Sequence, residues 1–174
     1  EARRGRGPSD SWVDRSLWER CIVGFNSGPP MFPSAYNNNF QLFQTPDHVV
    51  ILNEMVHAAR VVPLDGGQHV REALRQWMGD SRGHWEGDTL VVDTTNFTAA
   101  SITPYIQGSG ESMHLVERFT RVDADTIDYR ISVTDPAEWT ASWTAAMPMS
   151  PTDGPLFEYA CHEGNHAVVN MLSG

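Results

Sequence analysis

The sharpest chemical pattern in the chain is His162-Glu163-Gly164-Asn165-His166, which matches H-E-x-x-H. On a helix, that spacing puts two imidazoles on one face to bind zinc while the glutamate activates water. Three features oppose it: Gly164 and Asn165 are poor helix formers, the segment closely follows an expected strand, and little chain remains downstream for a third ligand. His162 and His166 are therefore weak candidates for a divalent metal, set against a chance match on a strand-to-helix turn. A second pattern, Gly79-Asp80-Ser81-Arg82-Gly83, matches the G-x-S-x-G nucleophile elbow. The elbow needs a strand before the serine and a helix after it; here the expected order is reversed, and a helix cap followed by a turn explains both glycines.

The remaining candidates sit on strand-like segments. Along Val49–Val62, unless a bulge intervenes, alternation places Glu54 and Arg60 on one face with Val50, Leu52 and Val56, and His57 on the other. A carboxylate and a guanidinium inside a barrel must be paired, either as a structural ion pair or as an acid, base or substrate clamp. Around Leu115, His114, Val116, Arg118 and Thr120 face one way, while Leu115, Glu117, Phe119 and Arg121 face the other. Trp139, Trp143, Phe157 and Tyr159 supply either aromatic core or the wall of a ligand cavity.

Composition narrows the chemistry. The chain has 174 residues and a formal charge of −10, which disfavours a nucleic-acid backbone as partner. All 12 basic residues are Arg. Without lysine there is no Schiff base, no phosphate-loop lysine and no pyridoxal mechanism, so neither a nucleotide nor that cofactor is expected. No apolar run approaches the roughly 18 residues of a helical membrane span. Cys21 and Cys161 are too far apart in sequence for a local metal-binding pair; they read as a disulfide, with two separate buried thiols as the alternative. A disulfide implies an oxidising compartment.

These residues need a scaffold, and the pattern predicts a mostly antiparallel β domain over residues 11–174 behind a flexible segment, residues 1–10. Strands are expected at Phe40–Gln44, Val49–Val62, Thr89–Thr95, Leu115–Arg121, Thr126–Thr134, Ala141–Met147 and Leu156–Cys161. Ile127, Tyr129, Ile131 and Val133 alternate cleanly with polar residues, and short turns at 85–89 and 122–126 make neighbours antiparallel. Helices are expected from Ser11, with Val13, Leu17 and Cys21 on one face; over Val70–Met78, with Gly79 as its cap; and near Gly164. Asn26–Asn39, with Pro29, Pro30, Pro33 and three consecutive asparagines, reads as an irregular connection. Meander connectivity favours a lipocalin-like (calycin-like) barrel over a sandwich.

Tyr36-Asn37-Asn38-Asn39-Phe40, Pro63-Leu64-Asp65-Gly66, Trp85–Leu90 and Glu158–Asn165 together resemble segments of a family of uncharacterised exported bacterial proteins. The resemblance runs from about Ser11 to the last residue and implies a periplasmic or extracellular location, as the compact C-terminal part of a longer precursor. It carries no activity. It implies that Tyr also occupies the position of His166, and it places Glu54, His57, Arg60, His114, Glu117 and His162 inside recognisable motifs, with His48, His69 and His84 outside. The expected function is a small extracytoplasmic enzyme performing elimination, isomerisation or hydrolysis on a compact organic substrate in a barrel cavity. Glu54 or Glu117 would be the base, His57, His114 or His162 the acid, and Arg60, Arg118, Tyr159 and Trp143 would bind substrate. The alternatives are a non-catalytic lipocalin-type binder, a metal-dependent enzyme using a His cluster, and an interaction domain without a cavity. Oligomeric state is left open.

Overall fold

The protein's structure, a computed structural model, describes residue 7, residues 10–99 and residues 110–173. Most of the flexible segment expected at residues 1–10 lies outside the described residues. Strands β1 (Phe40–Gln44), β2 (His48–Asn53) and β3 (Ala59–Pro63) form one antiparallel sheet in the order β1-β2-β3. The second sheet has the order β4-β5-β6-β7-β8, from β4 (Asp80–Glu86), β5 (Thr89–Thr95), β6 (His114–Arg121), β7 (Ile127–Thr134) and β8 (Trp143–Met149), again antiparallel throughout. A six-residue helix α1 (Ala167–Leu172) and single 3-10 turns at Trp12–Asp14 and Met55–His57 complete the regular structure of the described residues.

The mainly β, antiparallel architecture matches the sequence; closure into a barrel is not seen. Among the described residues, no ladder joins β3 to β4 or β1 to β8. The two sheets instead enclose one apolar cluster, with Val49, Ile51 and Val62 from the smaller sheet against Leu90, Val92, Leu115, Phe119, Tyr129, Ile131 and Val133 from the larger. Gly83 lies at the close approach between them: a Cβ there would sit 2.8 Å from both Val62 and Leu64.

Four local expectations are corrected. The long strand Val49–Val62 is folded in two: Asn53 N–H bonds Ala58 O at 2.8 Å, and Val56 and His57 take left-handed backbone angles (φ 50 and φ 39) at the turn. Asn53, Glu54, Met55 and Val56 are all buried in succession, which breaks the alternation of a half-buried strand. The fold-back reverses the expected faces: Arg60 shares the inner face with Val49, Ile51 and Val62, while Val50 and Leu52 do not. The expected helix Val70–Met78 is absent. Its apolar stripe has no core to meet, since Leu74 is 57% and Trp77 41% exposed, and the chain is pinned along the sheet by Gln76 N–H to Asn96 O at 2.8 Å and Thr98 N–H to Gln76 O at 3.1 Å. Gly79 therefore caps no helix; at φ 68, where a Cβ would meet Thr95 O at 2.6 Å, it lets the chain turn into β4. The helix from Ser11 shrinks to the turn Trp12–Asp14, and Leu156–Cys161 is irregular instead of a strand.

Polar side chains order the irregular connection. Asn26 Nδ2 reaches Tyr36 O, Asn37 O and Asn38 Oδ1, Asn53 Nδ2 donates to Ser27 O at 3.0 Å, and Asn39 Nδ2 donates to Glu54 Oε2 at 2.8 Å. Cys21 and Cys161 form the expected disulfide across a separation of 140 residues. Closing a loop of that length stabilises the folded state by about 5 kcal/mol in the chain-entropy model.

At the centre of the fold, the Arg60 guanidinium forks onto both carboxylate oxygens of Glu117, one bond measuring 3.0 Å. Tyr129 OH donates to Glu117 Oε1 at 2.6 Å and accepts Met31 N–H at 3.1 Å. All three side chains are buried. Burial works against the Arg60 charge, but the adjoining carboxylate outweighs it and holds Arg60 above its ordinary value. Glu117→Ala would strand the guanidinium in the core and is expected to cost about 3–5 kcal/mol in urea unfolding. The double substitution Arg60→Met/Glu117→Leu should be less destabilised than Glu117→Ala alone; unchanged stability in Glu117→Ala would show that the pair is not structural.

Candidate functional site

Strand alternation separates the two faces of the five-stranded sheet. Leu90, Val92, Leu115, Glu117 and Phe119 face the core, so Asp93 on β5 and His114 on β6 stand on the opposite face. Arg82 lies directly across from Asp93, and Asp80 is two positions along β4 on the same face. His114 Nε2 is 2.6 Å from Asp93 Oδ2. The other carboxylate oxygen, Oδ1, is 2.8 Å from His69 Nε2, and His69 Nδ1 is 2.8 Å from Asp80 Oδ2. The four side chains thus form one chain of hydrogen bonds, His114–Asp93–His69–Asp80.

His69 comes from the loop between β3 and β4, and backbone contacts hold that loop in place. Val70 N–H donates to Asp80 Oδ2 at 3.0 Å, and Asn96 Nδ2 donates to Val70 O at 2.9 Å. Arg82 extends the network, within 3.5 Å of Asp80 and 3.6 Å of Asp65. Both His69 nitrogens face carboxylate oxygens, an arrangement in which an imidazolium donates twice and a neutral ring only once. His114 differs: its side chain is 45% exposed, and only Nε2 is engaged by Asp93. Nδ1 remains as the nitrogen through which this ring can exchange a proton with a ligand.

Electrostatics follow the geometry. The hydrogen bond to Asp93 raises the His114 pKa, against partial burial and with the help of the carboxylate charge. For Asp93, partial burial pushes upward, but the bonds from His114 and His69 prevail and hold it below its ordinary value. The arrangement can accept or donate a proton at His114 while Asp93 fixes the ring's orientation, as the orienting acid does in a catalytic dyad.

No family model matches this chain, and no significantly similar curated protein or solved structure was found. The roles of the candidate residues therefore rest on their own geometry. Glu117 and Arg60 are consumed by each other in the core. Glu54 is buried and accepts from Asn39, while His57 is exposed at the tip of the β2–β3 turn. Arg118 shares the outer face with His114 and is bound to Glu86 at 2.6 Å. Trp143 packs edge-on against Trp139 at 5.6 Å, with its buried indole N–H unpaired. Tyr159 lies beside the disulfide, lining a cleft with Trp18 and Cys161.

The H-E-x-x-H pattern does not lie on a helix: Gly164 has φ 66, and α1 begins only at Ala167, with His166 as its N-cap. The two imidazoles are exposed and do not share a helical face. Among the described residues, no group of three or more His, Cys, Asp or Glu side chains is set to hold a metal ion. Ser81 is likewise no elbow nucleophile, because it is buried within β4 and bonded to Thr94 at 2.9 Å.

Sequence reasoning put His114 and Arg118 on one shared face, expected to line a cavity, where the structure turns that face outward; it missed His69, Asp80 and Asp93. Asp93 carried a usable signal, as the acid that ends the apolar run Leu90–Val92 on an otherwise buried strand. His69 carried none, because its partners are distant in sequence.

The shifts fix a pH window. His114, raised from about 6.5, contributes stability that is complete below that value and lost as pH climbs through its folded pKa. Asp93, lowered from about 3.8, contributes stability that is present above that value and lost as pH falls through its folded pKa. The pair is expected to stabilise most between those two values. Asp93→Asn should return the His114 NMR titration toward its ordinary midpoint; an unchanged midpoint would remove Asp93 as the cause.

Proposed function

We propose that this domain performs acid–base chemistry on a small organic substrate at the open face of the five-stranded sheet. His114 is the group that moves the proton, and Asp93 is the positioning residue that orients its ring. The observation that carries the reading is the Asp93–His114 contact: a half-exposed imidazole held through one nitrogen by a carboxylate that is itself braced by His69 and Asp80. Elimination, isomerisation and hydrolysis share the step this pair can supply, a proton taken from or given to a substrate at Nδ1. The enclosed cavity expected for that chemistry is replaced by an outer face, because Arg60, Glu117, Tyr129 and the apolar cluster fill the space between the sheets. Arg118, on the same face, is the cation available to an anionic or carbonyl group, provided Glu86 releases it.

A lipocalin-like kinship enters as an opened barrel with seams at β3/β4 and β1/β8; the close approach at Gly83 supports the first. An exported location fits the disulfide, and no helix among the described residues is long and apolar enough to cross a membrane. The resemblance to exported bacterial proteins points to the same compartment.

The test is a screen of small esters, lactones and carbonyl compounds, read as hydrolysis or as solvent deuterium uptake next to the carbonyl. Turnover should fall by about 10²-fold or more in His114→Gln, with thermal unfolding little changed, and should persist in Glu54→Gln. Full turnover in His114→Gln would defeat the proposal, as would no turnover across the panel by a folded protein whose His114 shows the raised midpoint.

A further inference from the structure

Independently of the acid–base pair, β1 forms an edge of the smaller sheet with one ladder partner, β2, among the described residues. In the β1–β2 ladder, Glu54 N–H bonds Asn39 O at 2.9 Å and Thr45 N–H bonds His48 O at 2.9 Å. Because bonded pairs recur at every second residue of an antiparallel ladder, Asn39, Gln41, Phe43 and Thr45 turn their backbone groups toward β2. The N–H and C=O groups of Phe40, Leu42 and Gln44 must therefore point away from it, along an edge with no neighbouring strand among the described residues. The five residues of β1, Phe-Gln-Leu-Phe-Gln, contain no charge and no proline, the usual devices that protect an exposed edge.

The opposite edge of the fold is protected. Val122 N–H bonds Thr126 O at 3.0 Å, which sets the register so that Thr144, Ala146 and Pro148 of β8 turn their backbones outward. Pro148, having no N–H, blunts that edge.

The β1 edge opens onto a cleft of about 460 Å³, within the range of ligand sites. Its near wall is Asn38–Leu42, five consecutive residues. Consecutive residues belong to both faces of a strand, so they border one space together along the strand's edge. Ile127, Met149, Pro155 and Leu156 stand across the cleft, with Arg121 and Asp125 offsetting each other in charge.

We propose that this cleft binds an extended peptide, which adds to β1 as a further strand. Donors and acceptors alternating at strand pitch, two residues or about 6.8 Å apart, match a polypeptide backbone. A segment of about four residues spans Phe40 to Leu42, and its apolar side chains on alternate positions face Ile127, Met149 and Leu156.

The probes are two uncharged tetrapeptides, acetyl-Thr-Val-Thr-Val-amide and acetyl-Val-Thr-Val-Thr-amide, added to the intact, oxidised protein. Binding is followed by NMR, together with amide hydrogen exchange at Phe40 and Leu42. One of the two should bind saturably and slow exchange at both amides by about tenfold. N-methylating the peptide residues that bond β1 should abolish binding, whereas N-methylating the intervening residues should leave most of it. No saturable binding of either peptide up to about 1 mM would overturn the proposal, as would binding indifferent to the position of the methyl groups. Protection of Phe40 and Leu42 that grows with protein concentration alone would assign the edge to a second copy of this chain and overturn it equally.

Discussion

The buried contact between Arg60 and Glu117 is the constraint around which the rest of this fold is arranged. Neither charge can be left alone in an apolar interior, so the smaller sheet must sit where Arg60 reaches β6, and β7 must bring Tyr129 to the remaining carboxylate lone pair. The contact reaches beyond the sheets, because Tyr129 OH also accepts the N–H of Met31 in the connection that precedes β1. One carboxylate thus fixes the relative placement of β3, β6, β7 and the irregular segment. That is also why it is a poor candidate for chemistry: each of its oxygens is committed and no solvent reaches it.

The polar face opposite the core works under different rules. Its charges remain partly hydrated and can be rearranged at modest cost, so a network of carboxylates and imidazoles can coexist there without a fixed partner for every atom. Its organisation depends on the loop from residue 64 to residue 79, whose own apolar residues Leu74 and Trp77 stay exposed. What holds this loop is hydrogen bonding to Asp80 and Asn96, not burial.

Much of the β content was legible in the sequence because alternation is a local signal. Ile127, Tyr129, Ile131 and Val133 announced β7, and the alternation around Leu115 put Glu117 on one face and His114 and Arg118 on the other, though it did not say which face was buried; the structure turns Glu117 inward. The reading failed where tertiary contacts override local pattern. A turn inside Val49–Val62 shifted the parity of every residue beyond it, and the amphipathic spacing over Val70–Met78 described a helix for which no core exists. Strand β4 was hidden by its glycine and charges, since Gly83 serves a close approach between sheets that no local pattern encodes. The candidate site was half legible: His114 could be singled out, while Asp93 and His69 acquire meaning only from the strand register and the loop that crosses it.

The bond between Cys21 and Cys161 makes the covalent structure nearly circular. All eight strands lie within the ring it closes. A protease cutting once at any loop between the two cysteines would open the ring without releasing a fragment, and every strand would stay covalently part of one molecule. In surroundings rich in hydrolases, a chain built this way tolerates a first nick that would divide an uncrosslinked one.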